Sequence, residues 1–180
     1  VGDGDMSDQP VRIPEDTRVE MTQLVLPSHT NNHGTAFGGQ IAAWVDVCAA
    51  VSAQRFCRMS VVTASMDALH FLHPVHKGMV VILKSTVNSA WNTSMEIGVR
   101  IESEHPLTGE RLHCCSAYLT FVAIDESGHK QQLPTLSCEQ NEKWLRRRSE
   151  AQERRDLRLK VREVRRTGGV LKVQVAKLED

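Results

Sequence analysis

Residues 39–56 (GQIAAWVDVCAAVSAQRF) form one long helical pattern, and the strand-like segments around it have to be arranged on this helix. Ile41, Trp44, Val45, Cys48 and Val51 recur at helical spacing as an apolar stripe. Residues 17–26 (TRVEMTQLVL) precede the helix as a strand rich in apolar and β-branched residues, ended by Pro27. Four strand patterns follow, at 61–72, 80–91, 93–102 and 112–124. The third alternates most cleanly, with Met95, Ile97, Val99 and Ile101 on one face and Glu96, Gly98, Arg100 and Glu102 on the other. Turn residues at 77–78 and 107–109 separate them. The expectation is an α+β domain, an antiparallel meander with a single long helix packed against it.

A second helical pattern spans 139–166, and Gly168-Gly169 would end it. Eleven of the 22 basic residues lie between Lys143 and Arg166, although the chain as a whole has zero formal net charge. That balance excludes a bulk attraction for nucleic acid or anionic membrane. No apolar run approaches the ~18 residues of a membrane span. The N-terminal residues show no charged region followed by an apolar stretch, so no signal peptide is expected. Four regions are expected. Residues 1–16 are a disordered start whose first nine read as a cloning remnant plus a flexible native start, with Met6 as the native initiator. Residues 17–138 form the main domain, 139–166 a charged helix and 167–180 a flexible tail. The five cysteines (48, 57, 114, 115, 138) form no C-x-x-C pair and are expected to be buried, reduced thiols. Cys114 and Cys115, adjacent in a strand pattern, should face opposite sides.

Chemistry, if present, belongs to residues 31–46 (NNHGTAFGGQIAAWVD). Gly38-Gly39 opens the helix, where backbone N–H groups lack intrahelical partners and the dipole is positive. Such donors suit a carbonyl oxygen that becomes negative during attack. A glycine pair also suits a turn followed by tight packing, and both readings stand at this point. Asp46 lies two turns beyond Gly39 on a face otherwise made of Ala42, Ala43, Ala49, Ala50 and Ala53. A carboxylate in so small-sided a stripe is expected to be partly buried, as a cap for a neighbouring loop or as a general base or nucleophile. Asn31 could orient water or substrate, and an Asn in a polar loop also serves as a turn residue. His33 is the alternative in the same loop. His70, His73 and His76 recur across a strand end and a Pro-containing loop, a spacing that does not suit a shared metal.

These stretches resemble the hotdog-fold acyl-CoA thioesterases, in particular the cytosolic acyl-CoA hydrolase group of mammalian two-hotdog enzymes and bacterial single-hotdog relatives. The matching segments are 26–46 (LPSHTNNHGTAFGGQIAAWVD), 62–71 (VTASMDALHF), 92–97 (NTSMEI) and 151–159 (AQERRDLRL), within a resemblance covering roughly 17–162. It implies a hotdog fold, an antiparallel β-sheet wrapped around a long central helix, plus a C-terminal helix. It implies Asn31 and Asp46 as catalytic residues contributed by different hotdogs, with Gly38 and the Gly39 N–H as oxyanion donors. Ala64, Ser65 and Met66, together with Thr93, Ser94 and Met95, would lie along coenzyme A, with Arg154 or Arg155 at its phosphates. Many bacterial relatives carry His before the glycine pair, whereas this chain has Phe37.

The implied reaction is hydrolysis of medium- to long-chain fatty acyl-CoA to fatty acid and CoA, with no cofactor beyond the CoA of the substrate and no metal. The implied state is a cytoplasmic homodimer assembling into a homohexamer, with no nucleic-acid or membrane partner, in fatty acid and lipid metabolism. Alternatives are a hotdog hydratase or dehydratase, which needs a His that the helix lacks, and a non-catalytic acyl-CoA sensor.

Overall fold

The computed structural model describes residues 10–138 and 141–168. Helix α1 (Gly38–Cys57) lies against a five-stranded antiparallel sheet and touches every strand of it. The strands are β2 (Val19–Leu24), β3 (Ser60–Met66), β4 (Val80–Ala90), β5 (Ser94–Glu104) and β6 (Arg111–Ile124), in the spatial order β2-β4-β5-β6-β3. This is the hotdog arrangement, a sheet curled around one central helix with a further helix at the C-terminus.

Only β4, β5 and β6 form the expected meander. The first strand after the helix pairs with β6 at the far edge, and residues 67–79 carry the chain back to β4 beside β2. The strand expected over 61–72 therefore stops at Met66. Beyond it, Asp67, two histidines and Pro74 end the apolar pattern, while the N–H groups of Asp67 and Leu72 bond singly to the carbonyls of Tyr118 and Cys114. The opening strand is also shorter than its pattern. Residues 14–17 form a 3₁₀ turn in which the Thr17 hydroxyl donates to the Pro14 carbonyl.

Residues 10–16, expected to be disordered, belong to the fold. Strand β1 (Val11–Arg12) pairs in parallel with β7 (Thr135–Leu136), which precedes the second helix. The start expected to be disordered otherwise falls at residues 1–9, outside the described residues. Of the tail expected at 167–180, Thr167 belongs to the second helix and Gly168 caps it, while 169–180 lie outside the described residues.

Ile41, Trp44, Val45, Cys48, Ala49, Ala53 and Phe56 are buried between α1 and the inner sheet face, with Met95, Ile97, Val99 and Ile101 opposite. Val51, placed in the apolar stripe by spacing, stands outside; Ser52 takes the inward position and donates to the Thr17 carbonyl (2.6 Å). The small-residue stripe is divided. Ala49 and Ala53 let the sheet approach, whereas Ala43 is exposed and Ala42 and Ala50 are half-buried.

The five cysteines are free and buried. Cys114 is the extra residue where β6 shifts register, opposite Ile101 and Glu102, so Cys114 and Cys115 both join the core instead of facing apart. A second shift makes Ala64 the extra residue of β3, between the pairs Thr63–Phe121 and Ser65–Thr120.

Helix α2 (Glu142–Thr167) begins at Asn141, whose side chain accepts from the Lys143 N–H, and ends at Gly168 with φ 66°. Residues 139 and 140 of the expected helix lie outside the described residues. Trp144 and Ala151 are buried where α2 crosses the outer sheet face. Its main anchor there is polar. Glu96 of β5, with 0% exposure, accepts from Arg154, Arg158 and Asn88 Nδ2, and Arg158 also pairs with Asp67 (2.9 Å).

Candidate active site

The Phe37 carbonyl accepts from the N–H groups of both Gln40 and Ile41, which leaves those of Gly38 and Gly39 as the free donors of the first helical turn. Two aromatic rings flank them. A Cβ at Gly39 would come within 2.5 Å of the Phe37 ring, and one at Gly38 within 3.7 Å of Phe71. Both rings are solvent-exposed, Phe37 at 61% and Phe71 at 44%. A side chain at 39 would require the exposed Phe37 ring to swing aside.

Asp46 follows two turns later, half-buried at the edge of α1. Thr63 of β3 donates its hydroxyl to Asp46 Oδ1 at 2.7 Å. One carboxylate oxygen is thereby oriented by the sheet while the other keeps its lone pairs for a proton or an electrophile. Thr63 was not among the residues singled out from sequence. Its signal was a polar residue on the helix-facing side of a strand, two positions after Val61, next to a carboxylate that needed a partner.

Asn31 organises the loop before the helix. Its Oδ1 accepts from the N–H groups of His33 (2.9 Å) and Thr35 (3.3 Å), and its Nδ2 donates to Thr35 Oγ1 (2.9 Å). Bridges Thr30–Ala36 and Thr35–His76 hold the loop against the chain that leads into β4. Asn31 is thus a turn residue in this geometry, and valence leaves it one further Nδ2 hydrogen for a ligand. His33 is exposed.

The remaining expected contacts differ in availability. Ala64 is exposed, and Ser65, Met66, Thr93 and Ser94 are half-buried. The Met95 side chain lies wholly in the core, because strand alternation turns it toward α1, so only its backbone can meet a ligand. Arg154 does not form the i,i+4 pair with Glu150 that spacing allows. It holds Glu96 at 2.7 Å and stacks over Tyr118 at 3.7 Å, and these hydrogen bonds raise its pKa against the opposing effect of burial. Arg155 sits over the Trp91 ring at 4.5 Å. Among the described residues no group of three His, Cys, Asp or Glu side chains is placed to hold a metal ion, and His70, His73 and His76 are exposed.

A curled antiparallel sheet around one long helix, with a further helix at the C-terminus, defines a hotdog protein. The thioesterase superfamily model matches residues 33–110. The chain is 40% identical over 134 residues to the acyl-CoA thioester hydrolase YkhA of Bacillus subtilis, spanning 74% of this chain and 78% of that protein. It is 39% identical to mouse acyl-coenzyme A thioesterase 11, over 81% of this chain and about a quarter (24%) of that longer protein. Among solved structures, an apo-hexameric acyl-CoA thioesterase superposes with a TM-score of 0.79 at 38% identity, covering 83% of this chain and 96% of the other. An acyl-CoA hydrolase from Staphylococcus aureus, solved with butyryl coenzyme A, coenzyme A and coenzyme A disulfide, gives 0.79 at 30% identity, covering 88% and 96%. Variants of that enzyme with an Asn, an Asp or a Thr replaced by alanine have also been solved. The chain belongs to the hotdog-fold acyl-CoA thioesterases of the thioesterase superfamily.

Proposed function

We propose that the protein hydrolyses medium- to long-chain fatty acyl-CoA to free fatty acid and CoA, with Asp46 as the reacting carboxylate. The observation that carries this reading is the Thr63–Asp46 hydrogen bond, which fixes a carboxylate two turns from the free Gly38 and Gly39 N–H donors. The Gly39 N–H, helped by Gly38, polarises the thioester carbonyl and stabilises the oxyanion. Asp46 deprotonates the attacking water, or attacks and forms an anhydride that water then opens; either route expels CoA as the thiol. The remaining Nδ2 hydrogen of Asn31 orients water or substrate. Coenzyme A follows Ala64 to Met66 and Thr93 to Met95, with Arg155 at its phosphates and Arg154 positioned through Glu96. The alanine variants of the S. aureus hydrolase support this set. Their Asn, Asp and Thr are separated along that chain as Asn31, Asp46 and Thr63 are here.

The working unit is a homodimer that assembles into a hexamer, with Asn31 and Asp46 of each site coming from different subunits. Strand β3 supports this as an edge of the sheet, with Val47, Val51 and Val62 exposed around it. Two structural relatives are described as hexameric. Five free thiols support a cytoplasmic setting.

An acyl-chain-length panel of acyl-CoA substrates, with released thiol measured for the wild type, Asn31→Ala and Asp46→Ala, tests the reading. Turnover that peaks at medium to long chains and collapses in Asp46→Ala is expected. Undiminished turnover in Asp46→Ala removes Asp46 from the reaction.

A further inference from the structure

On the outer face of the sheet, away from α1, a cleft of about 170 Å³ opens between the first turns of α2 and strands β4, β5 and β6. Arg146 and Arg147 line it from the helix and Lys84 and Arg100 from the strands. Glu102 and Glu150 answer these four cations as ion pairs, and Glu20 of β2 stands opposite Lys84 in the ladder. Glu102 is shared between Lys84 (2.9 Å) and Arg100 (2.7 Å), and its pKa is lowered chiefly by the hydrogen bond from Arg100. Glu150 stands 3.6 Å from Arg146. Arg147 is half-buried, lies 5.0 Å from the Trp144 ring centre and makes no ion pair among the described residues. Its pKa is lowered, first by burial and also by the neighbouring Arg146, against the attraction of Glu150. The carboxylates of Glu96 and Asp67 are engaged by Arg154 and Arg158 and do not offset this excess.

We propose that this cleft binds a phosphate group, either as inorganic phosphate or as a small phosphate monoester. The net positive lining favours an anion, and a tetrahedral group can be met by forks from the helix and from the sheet at once. A planar carboxylate engages one such fork. At roughly 30 Å³ for each water of liquid volume, the cleft has room for a phosphate with a few atoms to spare. The bound group joins α2 to the sheet, so occupancy stabilises the docked helix. The site lies apart from the Gly38–Gly39 donors and does not depend on the reaction proposed for them.

The test is titration calorimetry with inorganic phosphate on the full chain at low ionic strength, with chloride matched in the reference. Thermal unfolding is followed in parallel, and glycerol phosphate serves as the monoester arm. Saturable binding of one phosphate per chain and a raised Tm are expected. Arg147→Gln weakens binding by about tenfold or more, as loss of a charge-assisted contact should. Arg100→Gln reads the site from the sheet side and weakens it as well. Arg147→Lys, which keeps the charge but not the fork, weakens binding less than Arg147→Gln, and Arg166→Gln, which removes the same charge at the exposed end of α2, leaves it unchanged. Absence of saturable binding, equal losses in Arg147→Gln and Arg166→Gln, or displacement of phosphate by coenzyme A would each overturn the proposal.

Discussion

Thr63 holds Asp46 by a 2.7 Å hydrogen bond from an edge strand to the flank of the central helix. In the reaction proposed above, Asp46 is the reacting group and Thr63 the group that aims it. Asp46→Ala should lower kcat by about a hundredfold or more with the oligomer intact. Thr63→Ala should cost about tenfold, the worth of one oriented hydrogen bond, and Thr63→Ser should recover most of it. Steady-state kinetics beside scattering mass separate these outcomes from loss of assembly.

Asn31 has two roles that one substitution can divide. Asn31→Asp keeps the Oδ1 acceptor that receives His33 and Thr35 but removes the amide donor. Turnover should fall by about tenfold or more while Tm stays close to that of the wild type. Asn31→Ala should lose both turnover and loop order. Hydrogen exchange at His33 and Thr35 distinguishes the two variants, and equal exchange in both would deny the structural role.

Gly39→Ala should be impaired because its Cβ meets the Phe37 ring. Removing the ring should relieve that clash, so the double variant Phe37→Ala/Gly39→Ala should turn over faster than Gly39→Ala alone. A double variant as slow as the single would place the defect in the backbone instead.

Glu96→Ala leaves Arg154 without a carboxylate partner and Arg158 with Asp67 alone. Breaking such a cluster from one side should cost about 3 kcal/mol in denaturant unfolding. Glu96→Gln, which keeps the shape and two acceptor lone pairs, should cost less. The loss should appear first as exposure of α2, read by the fluorescence of Trp144.

Burial raises the pKa of Cys115 to about 11 from an ordinary value of 9.0, with the neighbouring Cys114 adding to the effect. A thiol whose folded pKa lies above its unfolded value contributes stability below the unfolded pKa and loses it as pH rises. Stability should therefore decline between pH 9 and about 11, and a Cys115→Ala variant should decline less over that window. At pH 8 the native protein should resist alkylation, because its five thiols are buried.

Local patterns in the chain read accurately where one residue decides the outcome. The helix at Gly38, the alternation of Met95 to Ile101, and the cap at Gly168 each follow from periodicity or from a single conformational preference. What did not follow depended on partners distant in sequence. Nothing in residues 60–66 says that they cross to the far edge beside β6, since that choice is made by pairing and not by propensity. Glu96 had the polar, outward place in a clean alternation, which normally means solvent. Only the docking of α2, some sixty residues later, turns it into a buried charge. The partial burial of Asp46 was legible because small neighbours made the carboxylate conspicuous, while Thr63, its hydrogen-bond partner, was ordinary strand composition.

Ala64, the bulge residue that follows Thr63, has no partner of its own in the ladder. Counted by pairing alone it is surplus: with Thr63 opposite Phe121 and Ser65 opposite Thr120, a chain one residue shorter could zip the same register. Its cohesive contribution is therefore small. What it adds is a local bend, placed one residue from the hydroxyl that steers Asp46. Deleting it would subtract little adhesion and change the direction in which that hydroxyl points.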